Sequence, residues 1–133
     1  AVGRAIAVAL ARAGIRSIAL IDTISGRAAE VAMMVGAAAP SVAVSTSGEA
    51  VAADIVVNAT PLGLRDGDPL PIDPARLARG QVVADVIPQP EVTPLLAAAA
   101  AAGCVTVNGR AMHGAQARLA AAFLWIPLGG ETA

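Results

Sequence analysis

The chain has no lysine: all 9 of its basic residues are arginine. A lysine general base, a Schiff-base lysine and a phosphate-loop lysine are therefore excluded from these 133 residues. A single cysteine, Cys104, excludes an internal disulfide framework and a multi-cysteine zinc site. One cysteine and one histidine, His113, make no case for Cys–His catalysis, and no metal is expected. Charge is scarce, at 14% of residues and a net −1, so the basic footprint of a nucleic-acid binder is missing. The 56% hydrophobic content argues against a disordered chain. Mean hydropathy is +0.70, but much of it is alanine. The longest uncharged stretch, Val92 to Gly109, is broken by Pro94, Gly103 and Asn108. A membrane span needs about 20 strongly apolar residues, so no membrane association is expected. The opening AVGRAIAVALARAG imitates a signal peptide, yet Arg12 follows its apolar run at once and Arg16 comes just after. The cytoplasm is the expected location, and one unpaired cysteine agrees with it.

What is present alternates between helix and strand. Gly3 to Ala13 carries Ile6 and Leu10 among alanines at helical spacing, and Gly14 stops it as a C-cap would. No strand or N-cap precedes this helix, so an upstream portion is expected to be missing. Ile15 to Asp22 reads as a buried strand. Ser25 to Ala38 reads as a helix with Ser25 as its N-cap and Val31, Met34 and Val35 on one face; Pro40 ends it. Val42 to Ser45 is a short strand, Gly48 to Ala53 one or two helical turns, and Asp54 to Asn58 a strand. Thr60 to Pro74, with Pro61, Gly63, Gly67, Pro69 and Pro71, is a long loop, and Arg76 to Arg79 a short helical turn. Gln81 to Ile87 is a strand, Glu91 to Ala102 an alanine-rich helix, Cys104 to Val107 a strand, and Arg110 to Trp125 a long helix. The pattern predicts an α/β fold: a doubly wound parallel sheet, Rossmann-like, with its first strand missing. Residues 1–126 form the dinucleotide-binding domain on this reading, and 127–133 a loose tail.

In a doubly wound sheet, ligands lie at the C-terminal ends of the strands. The first helix would offer its N-terminus to a pyrophosphate, with Gly3 as the last glycine of a G-x-G-x-x-G fingerprint. Asp22 closes the next strand, about 20 residues further on, where the fold places an acid on the adenine ribose. An acid there repels a 2′-phosphate, which favours NAD over NADP. Arg27 could still reach a 2′-phosphate, and Asp22 could equally be a plain turn residue.

Three further segments carry a resemblance. They are VNATPLGL (Val57 to Leu64), DVIPQPEVTPLL (Asp85 to Leu96) and GCVTVNGRAMHGAQ (Gly103 to Gln116). Together with the start, their order and spacing resemble the C-terminal, NAD(P)-binding domain of the shikimate dehydrogenase family, which includes quinate/shikimate dehydrogenases. The resemblance implies hydride transfer between the nicotinamide and a ring carbon of a polyol carboxylate, shikimate or quinate. It also implies an N-terminal substrate domain that carries the catalytic Lys and Asp and is absent from this chain. No catalytic residue is then expected here, and the chain alone should be inactive.

By the same resemblance, Gly3, Asp22 and Thr23 belong to the cofactor site, and Asn58, Ala59 and Thr60 form a turn beside the cofactor ribose. Asp85, Val86 and Ile87 approach the nicotinamide. Gly109 lets backbone come close to the carboxamide, and Met112 packs on the ring. Gln116 reaches the substrate. The NADP-type members carry Asn-Arg-Thr where this chain has Asp22-Thr23-Ile24, which again implies NAD. Three positions depart from the family: Pro88 replaces a frequent Tyr, Asn108 a usual Asp, and His113 a usual Leu.

Other readings stay open. One is a dinucleotide-binding module without turnover. Another is a related two-domain dehydrogenase with a different substrate, which Pro88 keeps in play. A homodimer is also compatible. Outside the site, His113 reads as an exposed side chain, Cys104 as buried apolar, and Met33 and Met34 as core. Phe123 and Trp125 read as packing the last helix. Asp66, Asp68 and Asp73 read as solvated turn acids, and Arg65 and Arg110 as surface charges unless they meet a phosphate or a carboxylate.

Overall fold

A computed structural model of the chain describes residues 2–46 and 53–124. It divides into two compact units, residues 1–52 and 53–133, each with its own parallel strands.

The first unit is a β-α-β crossover preceded by a helix. Helix α1 spans Val2–Arg12, strand β1 Ser17–Ala19, helix α2 Arg27–Ala38 and strand β2 Ala43–Ser45. The strands pair in parallel, Ser17 opposite Ala43 and Ala19 opposite Ser45. Gly14 ends α1 at a φ of 94°, a left-handed conformation that only glycine adopts at little cost. The core holds Ala7 and Ala11 of α1, Val31 and Val35 of α2, and Val42. Alanine at the α1 positions gives α2 room to approach closely. Arg4 and Glu30 meet at 3.1 Å across the two helices, but both are exposed, and such a pair contributes little.

Three expectations are corrected here. The N-cap of α2 is Gly26 at a φ of 80°, not Ser25, and no side chain caps it. The buried stripe of α2 is Val31 with Val35, one turn apart. Met33 and Met34 lie off that stripe at 78% and 45% exposure, so they are not core. Strand β1 is three residues rather than eight because β2 offers only three partners. One further bond, Leu20 N–H to the Ser45 carbonyl at 2.8 Å, continues the ladder before Ile21 leaves it for solvent.

The second unit contains strand β3 (Ile55–Asn58), a 3-10 turn (Pro74–Arg76), strand β4 (Val82–Asp85), helix α3 (Pro94–Ala101), strand β5 (Val105–Val107) and helix α4 (Gly109–Leu124). The strands run parallel in the order β3–β4–β5. Alternation along the strands sorts their side chains. Val83 turns into a core with Leu77, Leu95, Leu96 and Ala99, and Val56 packs against it. The rows Ile55–Val82–Val105 and Val57–Ala84–Val107 face the other way, and there Ile55, Val105 and Val107 stay exposed. Gln81 fixes the start of β4: its amide donates to the Ala53 carbonyl and accepts from Ala78 N–H, each at 2.7 Å.

Helix boundaries in this unit follow local capping. Helix α3 begins at Pro94, not Glu91, because the Thr93 hydroxyl accepts from Leu96 N–H at 3.3 Å and Pro94 needs no donor in the first turn. The 3-10 turn begins at Pro74 because the Asp73 carboxylate accepts from Ala75 N–H at 3.0 Å. Helix α4 begins at Gly109, with the Asn108 side chain accepting from Ala111 N–H at 2.9 Å. Cys104 is half-buried against the core, and its thiol donates to the Ala78 carbonyl at 3.3 Å. The Phe123 side chain, Trp125, the 127–133 tail and nearly all of the turns expected over Gly48–Ala53 lie outside the described residues. Among the described residues, no helix is long and apolar enough to cross a membrane.

Leu95 is 1% exposed, so Leu95→Ala should cost about 2–5 kcal/mol through lost burial and a residual cavity. Val92→Ala, at a 62% exposed position three residues away, should stay within about 0.5 kcal/mol. Urea denaturation of the two variants checks the contrast.

Candidate functional site

The second unit gathers its polar groups at the C-terminal ends of β3 and β4. Asn58 and Asp85 are register partners that end these strands. Both lie on the face shared with Val83, and both are buried, at 4% and 2% exposure. A buried carboxylate needs donors to replace water. Asp85 has three: Asn58 Nδ2 at 3.2 Å and Ile87 N–H at 3.1 Å reach Oδ1, and the Thr93 hydroxyl reaches Oδ2 at 2.7 Å. Thr93 caps α3, so the carboxylate also lies at the positive end of that helix. Asn58 turns its carbonyl oxygen to Thr60, accepting from its N–H at 3.0 Å and its hydroxyl at 2.7 Å. Its amide donates a second time, to the Leu62 carbonyl at 3.1 Å.

The main chain beyond β4 is held as tightly. Gly109, the first residue of α4, lies against the backbone of Val86 and Ile87. A Cβ added there would come within 2.5 Å of the Val86 oxygen and of the Ile87 carbonyl carbon and oxygen. Ile87 is buried, and its Cδ1 would lie 3.6 Å from a Cβ on Gly63, whose φ of 101° requires glycine. On the rim, Glu91 accepts from Asn108 Nδ2 at 3.4 Å and pairs with Arg110 at 3.2 Å.

A cleft of about 290 Å³ opens between the loop after β3 and the start of α3, lined in part by Leu64, Arg65, Asp68, Val92 and Ala97. Asp68 organises its loop side. Its Oδ2 accepts from Arg65 N–H at 3.0 Å and Gly63 N–H at 3.1 Å. The Arg65 N–H, with that of Gly63, holds the Asp68 carboxyl below its usual range against an opposing cost of partial desolvation. Asp68 and Asp73 are thus turn-forming acids. Among the described residues, no group of three or more His, Cys, Asp or Glu is placed to hold a metal ion.

The residues named from the sequence divide between the units. In the first, Gly3 lies half-buried in the opening turn of α1, and Asp22 and Thr23 are exposed beyond β1. Asp22 Oδ1 accepts from Ile24 N–H at 2.8 Å, an Asx turn; among the described residues its other oxygen has no hydrogen-bond donor. The second unit brings Asn58, Thr60, Asp85, Ile87 and Gly109 into one connected set. Ala59 is exposed, Val86 and Met112 are half-buried, and Gln116 is exposed one turn beyond Met112 on the same side of α4. His113 is exposed, and Arg110 is engaged by Glu91. Sequence reasoning missed Thr93; the Thr-Pro step before an apolar run signals a capped helix start, but not the carboxylate behind it.

The parallel β-α-β pattern, with its polar groups at strand ends, defines a Rossmann-like nucleotide-fold domain. No family model matches the chain. The shikimate dehydrogenase (NADP(+)) of Rubrobacter xylanophilus is 41% identical over 113 residues, 81% of this chain and 40% of that protein. The quinate dehydrogenase of Corynebacterium glutamicum, solved in complex with NAD, superposes with a TM-score of 0.76 at 35% identity, covering 85% of this chain and 42% of that one. The ligand-free 5-ketofructose reductase of a Gluconobacter species gives a TM-score of 0.82 at 29% identity, covering 92% and 47%. The chain belongs to the shikimate dehydrogenase family. It spans about a fifth to two fifths of the length of the curated relatives it matches.

Gly109→Ala should force the Ile87 backbone away and cost about 1–3 kcal/mol or more, read as a fall in thermal midpoint. Asp68 gives a pH test. Its lowered pKa means that its contribution to the loop is complete at neutral pH and is lost as pH falls through that pKa. In an NMR titration the Gly63 and Arg65 amides should move together, with a midpoint below that of an ordinary aspartate.

Proposed function

We propose that this chain is the NAD(P)-binding part of a dehydrogenase that interconverts a hydroxyl and a ketone on shikimate or quinate. Residues 1–126 would belong to one dinucleotide-binding domain and 127–133 to a tail, with the substrate domain and its catalytic residues elsewhere in a longer protein. The observation that carries the proposal is the buried set at the ends of β3 and β4. It holds the exposed turn at Ala59 and Thr60, and the chain that leaves β4 at Val86 and Ile87, at the strand ends where a parallel α/β fold receives its ligand. The strand neighbours β1–β2 and β3–β4–β5 also match those of strands 2–3 and 4–5–6 in a doubly wound sheet.

The residues suit such a cofactor. Asp22 uses only Oδ1 in its turn, which suits acceptance from the adenine ribose hydroxyls through Oδ2, and Gly3 puts no side chain at its own position in the first turn of α1. The turn held by Asn58 would pass the second ribose. Met112 offers a half-buried apolar contact for a nicotinamide, and Gln116, one turn on, an amide for a substrate hydroxyl. When bound, the cofactor supplies the hydride chemistry; this chain binds, orients and shields it. Shikimate dehydrogenase and quinate dehydrogenase are the names of relatives that match most of the chain. The reductase of 5-ketofructose supports a second reading, a different polyol or ketose, since Pro88 stands at the position where the family often has a substrate-facing Tyr.

Cofactor choice turns on residue 22. The curated relatives are named for NADP(+), and the quinate dehydrogenase carries NAD. The carboxylate of Asp22 disfavours a 2′-phosphate by charge, which supports NAD for this chain against the relatives' name. Kinetics of the full-length protein with NAD and NADP against shikimate, quinate and 5-ketofructose test both points. Asp22→Asn should move the kcat/KM ratio toward NADP by about tenfold or more. A ratio that does not move would show that residue 22 does not read the ribose.

A further inference from the structure

We propose that Asp85, Thr93 and Asn58 form a positioning clamp: Asp85 acts on a bound dinucleotide through the backbone it holds and does not touch the ligand. The inference rests on the dinucleotide reading above. It reassigns Asp85 and Asn58 from contacts to supports.

Every polar atom of the two side chains is turned inward. Asp85 Oδ1 takes the Asn58 amide and the Ile87 N–H, and Oδ2 takes the Thr93 hydroxyl. Asn58 Oδ1 takes both donors of Thr60, and its amide divides between Asp85 and the Leu62 carbonyl. At 2% and 4% exposure, neither offers surface to a ligand. What the clamp sets is the course of the neighbouring main chain: Ala59 and Thr60 are exposed, Val86 is half-buried and Ile87 is itself buried. The Ile87 bond fixes the first step of the chain off β4, and the Thr60 bonds fix the turn off β3. The effect extends to α4, because Gly109 is seated on the Val86 and Ile87 carbonyls whose position Asp85 determines.

Thr93 is the link that can be cut most cleanly. Its hydroxyl donates to Asp85 and accepts from Leu96 N–H, so it joins the carboxylate to the first turn of α3. It is 1% exposed, and valine fills the same space without the hydroxyl. Thr93→Val leaves a buried carboxylate short of one donor. Thr93→Ser keeps the donor and loses a methyl group. Asp73→Ala removes a comparable cap from the 3-10 turn without touching the clamp.

The test is dinucleotide binding by the full-length protein, followed by nicotinamide fluorescence on the folded fraction, with kcat, KM and thermal midpoint alongside. Thr93→Val should raise the dinucleotide Kd and KM about tenfold or more through misplaced backbone, with Thr93→Ser returning to near wild type. Asp73→Ala should lower the midpoint and leave the dinucleotide KM unchanged. Thr93→Val that binds like wild type, or a Thr93→Ser that fails to rescue, overturns the clamp. So does a KM that tracks the midpoint equally in Thr93→Val and Asp73→Ala. If Thr93→Val does not fold, Asn58→Ser supplies the same comparison by weakening the Thr60 and Asp85 bonds from the opposite strand. Wild-type protein that binds neither NAD nor NADP overturns the functional reading instead.

Discussion

A carboxylate removed from water at the end of a strand sets the terms for the second unit. Asp85 has an amide, a hydroxyl and a backbone N–H as its donors, and a helix start behind it. Burial of an ion in this way is costly unless each lone-pair direction finds a donor. The donors come from three separate places: the neighbouring strand, the cap of α3 and the chain two residues on. Satisfying one charge thus joins three elements. No buried side-chain nitrogen or oxygen among the described residues lacks a partner, so the network is closed. Closed polar networks hold one arrangement in preference to near alternatives, which a ligand site made of main chain requires.

Glycine carries the complementary constraint. Gly109 has no space for a side chain because α4 begins directly on the Val86 and Ile87 carbonyls. Gly63 combines a left-handed backbone with a neighbour, Ile87, at contact distance. The strand end is therefore held by the Asp85 hydrogen bond and packed by Gly109, which has no room for a Cβ, and by Gly63, whose φ disfavours one. The same surroundings explain why Ile87 is buried although it lies beyond the ladder of β4.

The elements were largely legible from the sequence because they rest on local signals. Gly14 and Gly103 stop α1 and α3, and the apolar runs mark the strands, although the start of α3 was read at Glu91 rather than at the Thr93-Pro94 cap. The parallel α/β class followed from their alternation. What was not legible depends on neighbours distant in sequence. Met33 and Met34 look like core residues by type, but the geometry of α2 gives the buried stripe to Val31 and Val35. Ser25 looks like a cap, but the chain turns at Gly26 instead. Asn58 was read as the end of its strand, whereas Asp85 was read inside a strand that ran on to Ile87. That their side chains face inward depends on strand register and on Thr93, which no spacing rule encodes. Gly109 was read as a place for close approach to a ligand; its close approach to the protein's own Val86 and Ile87 backbone was not foreseen.

On the proposed function, main chain at the ends of β3 and β4 receives a dinucleotide. Hydrogen exchange of the full-length protein, with and without saturating NAD or NADP, tests it most directly. Backbone amides over 58–60, 85–87 and 109–116 should exchange more slowly with one of the two bound. Exchange there that is unaltered by either, while protection develops elsewhere in the protein, would contradict it.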